Sequence, residues 1–137
     1  MIEKTFAIIK PLAVKEKCSG KIIDIIEKNG FNIINMKKHT MTIDQAKDLY
    51  IEDQEKSFFK GMINNMISSP IVILSLEKEN AVKDWRKIMG ATNPQDAEDG
   101  SIRKFFGEDI ENNATHGSDS NKSADRELAI FFFNSFY

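Results

Sequence analysis

Two short apolar runs do most to limit what this chain can fold into. Thr5-Phe6-Ala7-Ile8-Ile9 ends just before Lys10-Pro11, and Ile71-Val72-Ile73-Leu74-Ser75-Leu76 begins just after Pro70. Runs of this length punctuated by proline read as strands. The second is apolar on both faces, which suits a central strand of a covered sheet.

The segments between them have helical character. Gly20 to Lys28 carries Ile22, Ile23, Ile25 and Ile26 among charged residues and is closed by Asn29-Gly30. Phe31 to Met41 alternates loosely and reads as a strand. Thr42, with Gln45 three residues on, is a capping-box signature, and it opens a helix bearing Ile43, Ala46, Leu49 and Tyr50 on one side. Phe58 to Ile67 and Asn80 to Met89, the latter closed by Gly90, read as helices. Asn93 to Gly100 reads as a long loop. A last helix is expected from Asp119-Ser120 through Ala124 and Glu127, followed by an apolar strand, Leu128 to Phe133. With the extra helices set aside, the order reduces to βαββαβ. The fold class is then α+β and ferredoxin-like, a four-stranded antiparallel sheet with helices on one face.

Length and composition narrow the function classes. The 137 residues suit one domain, residues 1–137. The single cysteine, Cys18, cannot form an internal disulfide, which favours a reducing compartment. No secretory leader is read at Met1 to Thr5, and no apolar run approaches the roughly 20 residues that span a bilayer. A cytoplasmic protein is expected. With a net charge of −2, nothing global steers the chain to nucleic acid or to an anionic membrane. Any anion it binds must be met by local charge.

One of only two histidines lies in Asn113-Ala114-Thr115-His116-Gly117-Ser118-Asp119. Small neighbours let His116 present a ring nitrogen to a ligand. Histidine is also the side chain whose ordinary titration leaves a neutral nucleophile at pH 7. On spacing alone the segment reads more readily as a plain turn. Neither Gly-x-x-x-x-Gly-Lys-Ser/Thr nor Gly-x-Gly-x-x-Gly occurs, so the usual backbone cradles for phosphate are absent. Lys10 at a strand end, Arg86 before Gly90 and Arg103 after Gly100-Ser101-Ile102 could instead form a side-chain cradle, lysine as a point charge and arginine as a fork.

Four motifs carry a resemblance over nearly the whole chain: Phe6-Ala7-Ile8-Ile9-Lys10-Pro11, Ser69-Pro70-Ile71-Val72, Gly90-Ala91-Thr92-Asn93-Pro94 and Asn113 to Ser120. With these the chain resembles the nucleoside diphosphate kinases. The resemblance implies a ping-pong transfer. The terminal phosphoryl group of a nucleoside triphosphate, mainly ATP, passes to a histidine and then to a nucleoside diphosphate. It implies that His116 is the phosphorylated residue and that Lys10, Arg86, Thr92 and Arg103 bind phosphates. Lys10 and Asn113 would also contact the ribose. Phe58 would stack on the base with Ile110 opposite, Tyr50 would stand near the transferred group, and Ser118 and Glu127 would support the histidine ring. Mg2+ would arrive on the nucleotide, with no metal site in the protein. The chain would self-associate as a homo-tetramer or homo-hexamer built of dimers.

Those residue types suit the chemistry. Phosphoryl transfer is catalysed largely by positioning and by neutralising charge on the phosphate oxygens. A covalent histidine intermediate divides one transfer between anions into two easier steps. Stacking without base-edge hydrogen bonds implies broad base tolerance. Three positions depart from the family pattern: Leu12 where Asp or Asn is usual, Phe105 where Asp is common, and Gln54 where His is common. Competing readings are a non-catalytic nucleotide-binding protein, which the intact set Lys10, Arg86, Arg103, Asn113 and His116 opposes, and a nucleic-acid binder, which the acidic balance opposes. His39 reads as a solvated strand residue, Trp85 as packing, and Met62, Met66 and Met89 as filler.

Overall fold

The computed structural model describes residues 1–132. Its centre is an antiparallel sheet of β1 (Ile2–Ile9), β2 (Asn32–His39), β3 (Ile71–Glu79) and β4 (Thr115–Gly117), in the order β2-β3-β1-β4. The two apolar runs of the sequence are the two central strands. They pair over their full length, from Ile2 opposite Glu79 to Ile9 opposite Val72. β4 is short and pairs only with β1, which sets His116 opposite Ile8. On the other edge, β2 has a register shift between Ile33 and Asn35, an irregularity of the kind that blunts sheet edges.

Seven helices accompany the sheet among the described residues: α1 (Pro11–Lys15), α2 (Ser19–Lys28), α3 (Ile43–Leu49), α4 (Phe59–Ile67), α5 (Ala81–Met89), α6 (Ile102–Phe106) and α7 (Asn121–Phe132). Pro11 does not simply end β1. It occupies the first turn of α1, where its missing N–H costs nothing. The capping box of α3 is complete: Gln45 N donates to Thr42 Oγ1 at 3.0 Å and Thr42 N donates to Gln45 Oε1 at 3.1 Å.

The fold class holds, but helices cover both faces of the sheet, not one. Side chains alternate along β1. Ala7 and Ile9 join Val72, Leu74, Ile22, Ile26 and Trp85 in one core. Phe6 and Ile8 join Ile71, Ile73, Leu49, Ile63 and Leu128 in a second. α2 and α5 close the first layer, and α3, α4 and α7 close the second.

The last expected strand is a correction. Residues 128 to 132 are helical and complete α7, and Phe133 lies outside the described residues. The run Leu128-Ala129-Ile130-Phe131-Phe132 looked strand-like because it is continuously apolar. The buried apolar residues of α7, Ala124, Leu128, Phe131 and Phe132, follow the helical i, i+4, i+7 and i+8 spacing. The fourth strand is instead Thr115–Gly117, within the segment read as a loop. α1 and α6 were also not expected from the sequence.

Candidate functional site

Lys10, Tyr50, Phe58, Thr92, Arg103, Ile110, Asn113 and His116 line one cleft of about 390 Å³. The sheet and its loops account for this gathering. Lys10 follows β1 directly, and its backbone N–H donates to Ala114 O at 2.8 Å, which ties the strand end to the segment before β4. Lys10 Nζ donates to Asn113 Oδ1 at 2.7 Å, and Asn113 Nδ2 donates to Thr92 O at 2.9 Å. One amide therefore links the β1 end, the β4 entry and the loop after α5.

Ala114 lies between Asn113 and Thr115 with φ 74°, and Thr115 N donates to Asn113 O at 2.9 Å. Positive φ with a bond from residue i+2 to residue i is a γ-turn of the strained kind. Such strain costs roughly 1–3 kcal/mol and persists where the surroundings over-determine it. Here the Lys10 and Asn113 bonds hold the turn from both sides.

The His116 ring sits in the second core layer, edge-on to Phe6 at 6.1 Å and to Tyr50 at 5.9 Å between centroids. Its Nε2 is 2.8 Å from Glu127 Oε1. The same oxygen accepts from Ser118 Oγ at 2.9 Å. An ionised carboxylate only accepts, so it favours the tautomer with the proton on Nε2. That leaves the Nδ1 lone pair without a hydrogen bond to any described residue. The ring can act as a neutral nucleophile while the buried carboxylate takes up the positive charge that develops.

The cations show how burial shapes the site. Burial in the first place, and the neighbouring Arg103 in the second, lower Lys10 to about 7, against partial opposition from Glu111 and Asp109. Burial and then Arg86 lower Arg103 to about 10. Arg103 is heavily committed to the fold: Nη1 donates to Gly90 O at 3.0 Å and Nη2 to Thr115 O at 2.9 Å. Its Nε is buried and unpartnered. The Tyr50 hydroxyl is also buried and unpartnered. Burial first, then the Glu127 carboxylate, holds that hydroxyl well above the usual phenol range.

Three expected residues lie outside this cleft. Ser118 is buried beneath His116. Glu127 and the exposed Arg86 line an adjoining hollow of about 230 Å³ that shares His116 and Tyr50. Phe58 and Ile110 stand at the cleft as exposed apolar side chains, 50% and 56% accessible, which is open geometry for a flat ligand. Phe105 is solvent-exposed beside Phe106.

Some residues do more than their spacing suggested. Trp85 is fully buried packing, and its Nε1 also donates to His116 O at 3.3 Å. Its place three residues from Ile88 and four from Met89 on α5 signalled burial, but not that contact. Met62 packs against the second core and also lines the cleft with Phe58, four residues earlier on the same helical face. His39 is not simply solvated. It is half-buried, with Nε2 2.8 Å from Gln45 Oε1 and its ring edge-on to Phe131.

Gly117 explains why β4 can lie so close to α5. A Cβ there would fall 2.5 Å from Trp85 Cδ1 and 2.5 Å from Met89 Cε. Gly117→Ala is expected to destabilise the fold by about 1–3 kcal/mol through overpacking. Urea denaturation reads the loss. Trp85 is the only tryptophan, so its fluorescence reports the displacement directly; unchanged emission and midpoint would contradict this packing.

The chain is similar in sequence and fold to known proteins. The family model for nucleoside diphosphate kinase matches residues 3–136. The nucleoside diphosphate kinase of Geotalea uraniireducens is 50% identical over 131 residues, 96% of each chain. That of Trichlorobacter lovleyi is 50% identical over 135 residues, 98% of this chain and 97% of the other. The crystal structure of the Aquifex aeolicus nucleoside diphosphate kinase matches with a TM-score of 0.94 at 37% identity, covering 96% of both chains. The Encephalitozoon cuniculi structure matches with a TM-score of 0.92 at 31% identity, covering 94% of this chain and 88% of that one. Fold and sequence together are those of a phosphotransferase. The chain belongs to the nucleoside diphosphate kinase family. Its activity is transfer of a phosphoryl group from a nucleoside triphosphate to a nucleoside diphosphate.

Proposed function

We propose that the transfer runs through a phosphohistidine at His116. The observation that carries this reading is the ring's arrangement: Nε2 is held by Glu127, and Nδ1 is unengaged in a cleft that also presents Lys10 and Arg103. The Nδ1 lone pair forms a bond to the terminal phosphorus of a nucleoside triphosphate. The bond from that phosphorus to the bridging oxygen breaks, and the nucleoside diphosphate leaves with the electron pair. A second nucleoside diphosphate then attacks the phosphohistidine and takes the phosphoryl group, restoring the neutral ring.

The other residues take the roles that the family resemblance implies. Lys10, Arg86 and Arg103 neutralise phosphate charge, and Thr92 binds phosphate beside them. Asn113 and Lys10 meet the ribose. Phe58 and Ile110 flank the base, and because stacking needs only a π face, ATP and other nucleotides are all accepted. Tyr50 stands beside the transferred group. Glu127, supported by Ser118, orients the ring and compensates its developing charge, as the carboxylate of a catalytic triad does.

Mg2+ is assigned to the nucleotide. Among the described residues no group of three or more His, Cys, Asp or Glu is placed to hold a metal ion. Magnesium favours phosphate oxygens and retained waters over all-protein cages, and there it would neutralise phosphate charge. Residues 1–137 act as one domain. Cytoplasmic residence fits the lone cysteine. No helix among the described residues is long and apolar enough to cross a membrane. Self-association as a homo-tetramer or homo-hexamer is supported by the edge strand β2, which exposes Ile34 and Met36 beside an unpaired backbone edge; sedimentation reads the state.

The test mixes the protein with terminally labelled ATP and no acceptor. The expected result is an acid-labile, base-stable label on the protein that is absent from His116→Ala and discharged by added nucleoside diphosphate. A folded protein that takes up no label would end this reading.

A further inference from the structure

We propose that Arg126 is a positioning residue for the transfer at His116: its guanidinium supplies the fixed counter-charge to Glu127 and holds Tyr50 against the ring. This rests on the reading of His116 as the phosphorylated residue.

The starting point is Glu127, which is 5% accessible. A buried carboxylate is unfavourable unless it is paired and hydrogen-bonded. Its Oε1 is fully used by His116 Nε2 and Ser118 Oγ. Neither donor carries a permanent charge: Ser118 is neutral, and a histidine is charged only when protonated. Oε2 faces a single cation, Arg126, with Nη2 at 3.7 Å. The other titratable side chains lining the same hollow are Tyr50, Glu52, Asp53, Arg86, His116 and Asp119. Of the two arginines there, only Arg126 forms an ion pair with Glu127.

Arg126 is anchored independently of that carboxylate. Nη1 donates to Asp48 O at 2.7 Å and Nη2 donates to Leu49 O at 3.3 Å. Both carbonyls belong to the last turn of α3, where a cation also meets the negative end of the helix dipole. The next residue is Tyr50, the C-cap of α3, whose ring is edge-on to His116. One guanidinium therefore joins the two walls that fix the imidazole, the carboxylate on α7 and the tyrosine at the end of α3. Arg126 need not touch a nucleotide. It keeps Glu127 available as an acceptor and so keeps the proton on Nε2 and the lone pair on Nδ1.

Two variants separate charge from hydrogen bonding. Arg126→Lys keeps the charge. Arg126→Gln is neutral but retains an N–H donor for the α3 carbonyls, which protects folding. In a single turnover with labelled ATP, Arg126→Gln is expected to phosphorylate at least about tenfold more slowly, as small losses of alignment do, with nucleotide affinity unchanged. Arg126→Lys should recover most of that rate. Nitrogen NMR of the imidazole should show one neutral tautomer, protonated at Nε2, in the wild type and a mixture in Arg126→Gln.

Wild-type rate in Arg126→Gln would overturn the inference. So would a slow variant with an unchanged imidazole spectrum and an equal loss of nucleotide affinity, since that is the signature of a structural role alone. Failure of the wild type itself to label would remove the reading of His116, and with it this inference; a labelled wild type with an unaffected Arg126→Gln removes the inference alone.

Discussion

Arg103→Ala is expected to lose phosphoryl transfer and, at the same time, about 1–3 kcal/mol of folding stability, the cost of orphaning buried backbone acceptors. Two backbone carbonyls are involved, Gly90 O just after α5 and Thr115 O in β4. Removing the guanidinium strands both where water enters poorly, and an orphaned buried acceptor costs about 1–3 kcal/mol. Two effects oppose this: burial of the charge, the larger, and the nearby Arg86 both lower the Arg103 pKa. Arg86 is exposed, so solvent screens its repulsion; the two carbonyl bonds offset the burial cost, and the stranded acceptors and emptied volume decide the sign. Domains of this kind have only about 5–15 kcal/mol in total, so the urea midpoint should move clearly. Arg103→Lys keeps a charge but cannot span both carbonyls, and it should fall between alanine and wild type on both readouts. A stable, inactive Arg103→Ala would show that the guanidinium serves ligand alone; a stable, active one would refute both roles.

Nucleotide binding is expected to take up close to one proton at about pH 8, through Lys10. In the ligand-free protein, burial and the adjacent Arg103 hold Lys10 near 7, against an ordinary value of 10.5. Above neutrality most molecules therefore present a neutral amine. A phosphate arriving beside it favours the ammonium and restores the proton. Affinity should fall as pH rises above 7, by at most about tenfold per unit, since each unit of pKa is worth about 1.4 kcal/mol. The same shift sets a stability trend of definite sign. Between 7 and 10.5 the unfolded chain binds a proton on Lys10 that the folded chain does not, so this group makes the ligand-free fold more stable as pH rises through that window, and the gain is lost as pH falls back through 7. Calorimetry in two buffers of different ionisation enthalpy measures the uptake. Lys10→Met should abolish it. Wild-type binding with no proton uptake at about pH 8 would contradict the burial of that amine.

Most of the fold was readable because its signals are local. β1 and β3 announce themselves as apolar runs beside prolines, and α3 announces its start in Thr42 and Gln45. β4 carries no such signal. Thr115, His116 and Gly117 form a strand only because β1 offers an unpaired edge, which is a tertiary fact. α7 shows the converse: Leu128 to Phe132 has strand-like composition, and only the position of its partners selects the helix. The second covered face was hidden for a related reason. Alternating positions on β1 are apolar on both sides, but the edge strands β2 and β4 are polar or short and carry no such pattern.

The site divides in the same way. Residue types at motif positions brought Lys10, Asn113 and His116 into view. What the sequence could not convey is how they are held: the Arg103 bonds to two carbonyls, the Trp85 N–H on the His116 carbonyl, and Arg126 on α3. Each joins residues distant in the chain through backbone acceptors, and a backbone acceptor has no residue type to read.

The pairing of β4 with β1 has a further consequence, for the tolerance of insertions and deletions. His116 faces the layer of Phe6, Tyr50 and Glu127 because it stands opposite Ile8. A strand's side chains alternate, so one residue added or removed between Asn113 and His116 would turn the imidazole to the opposite face, toward Trp85, whatever its effect on the loop itself. Length variation should be absorbed in loops such as Glu98 to Gly100, which is exposed, and excluded from the few residues between Asn113 and Gly117. The separation of nucleophile and lysine is thus counted in whole residues along the sheet, a ruler that cannot be adjusted by fractions.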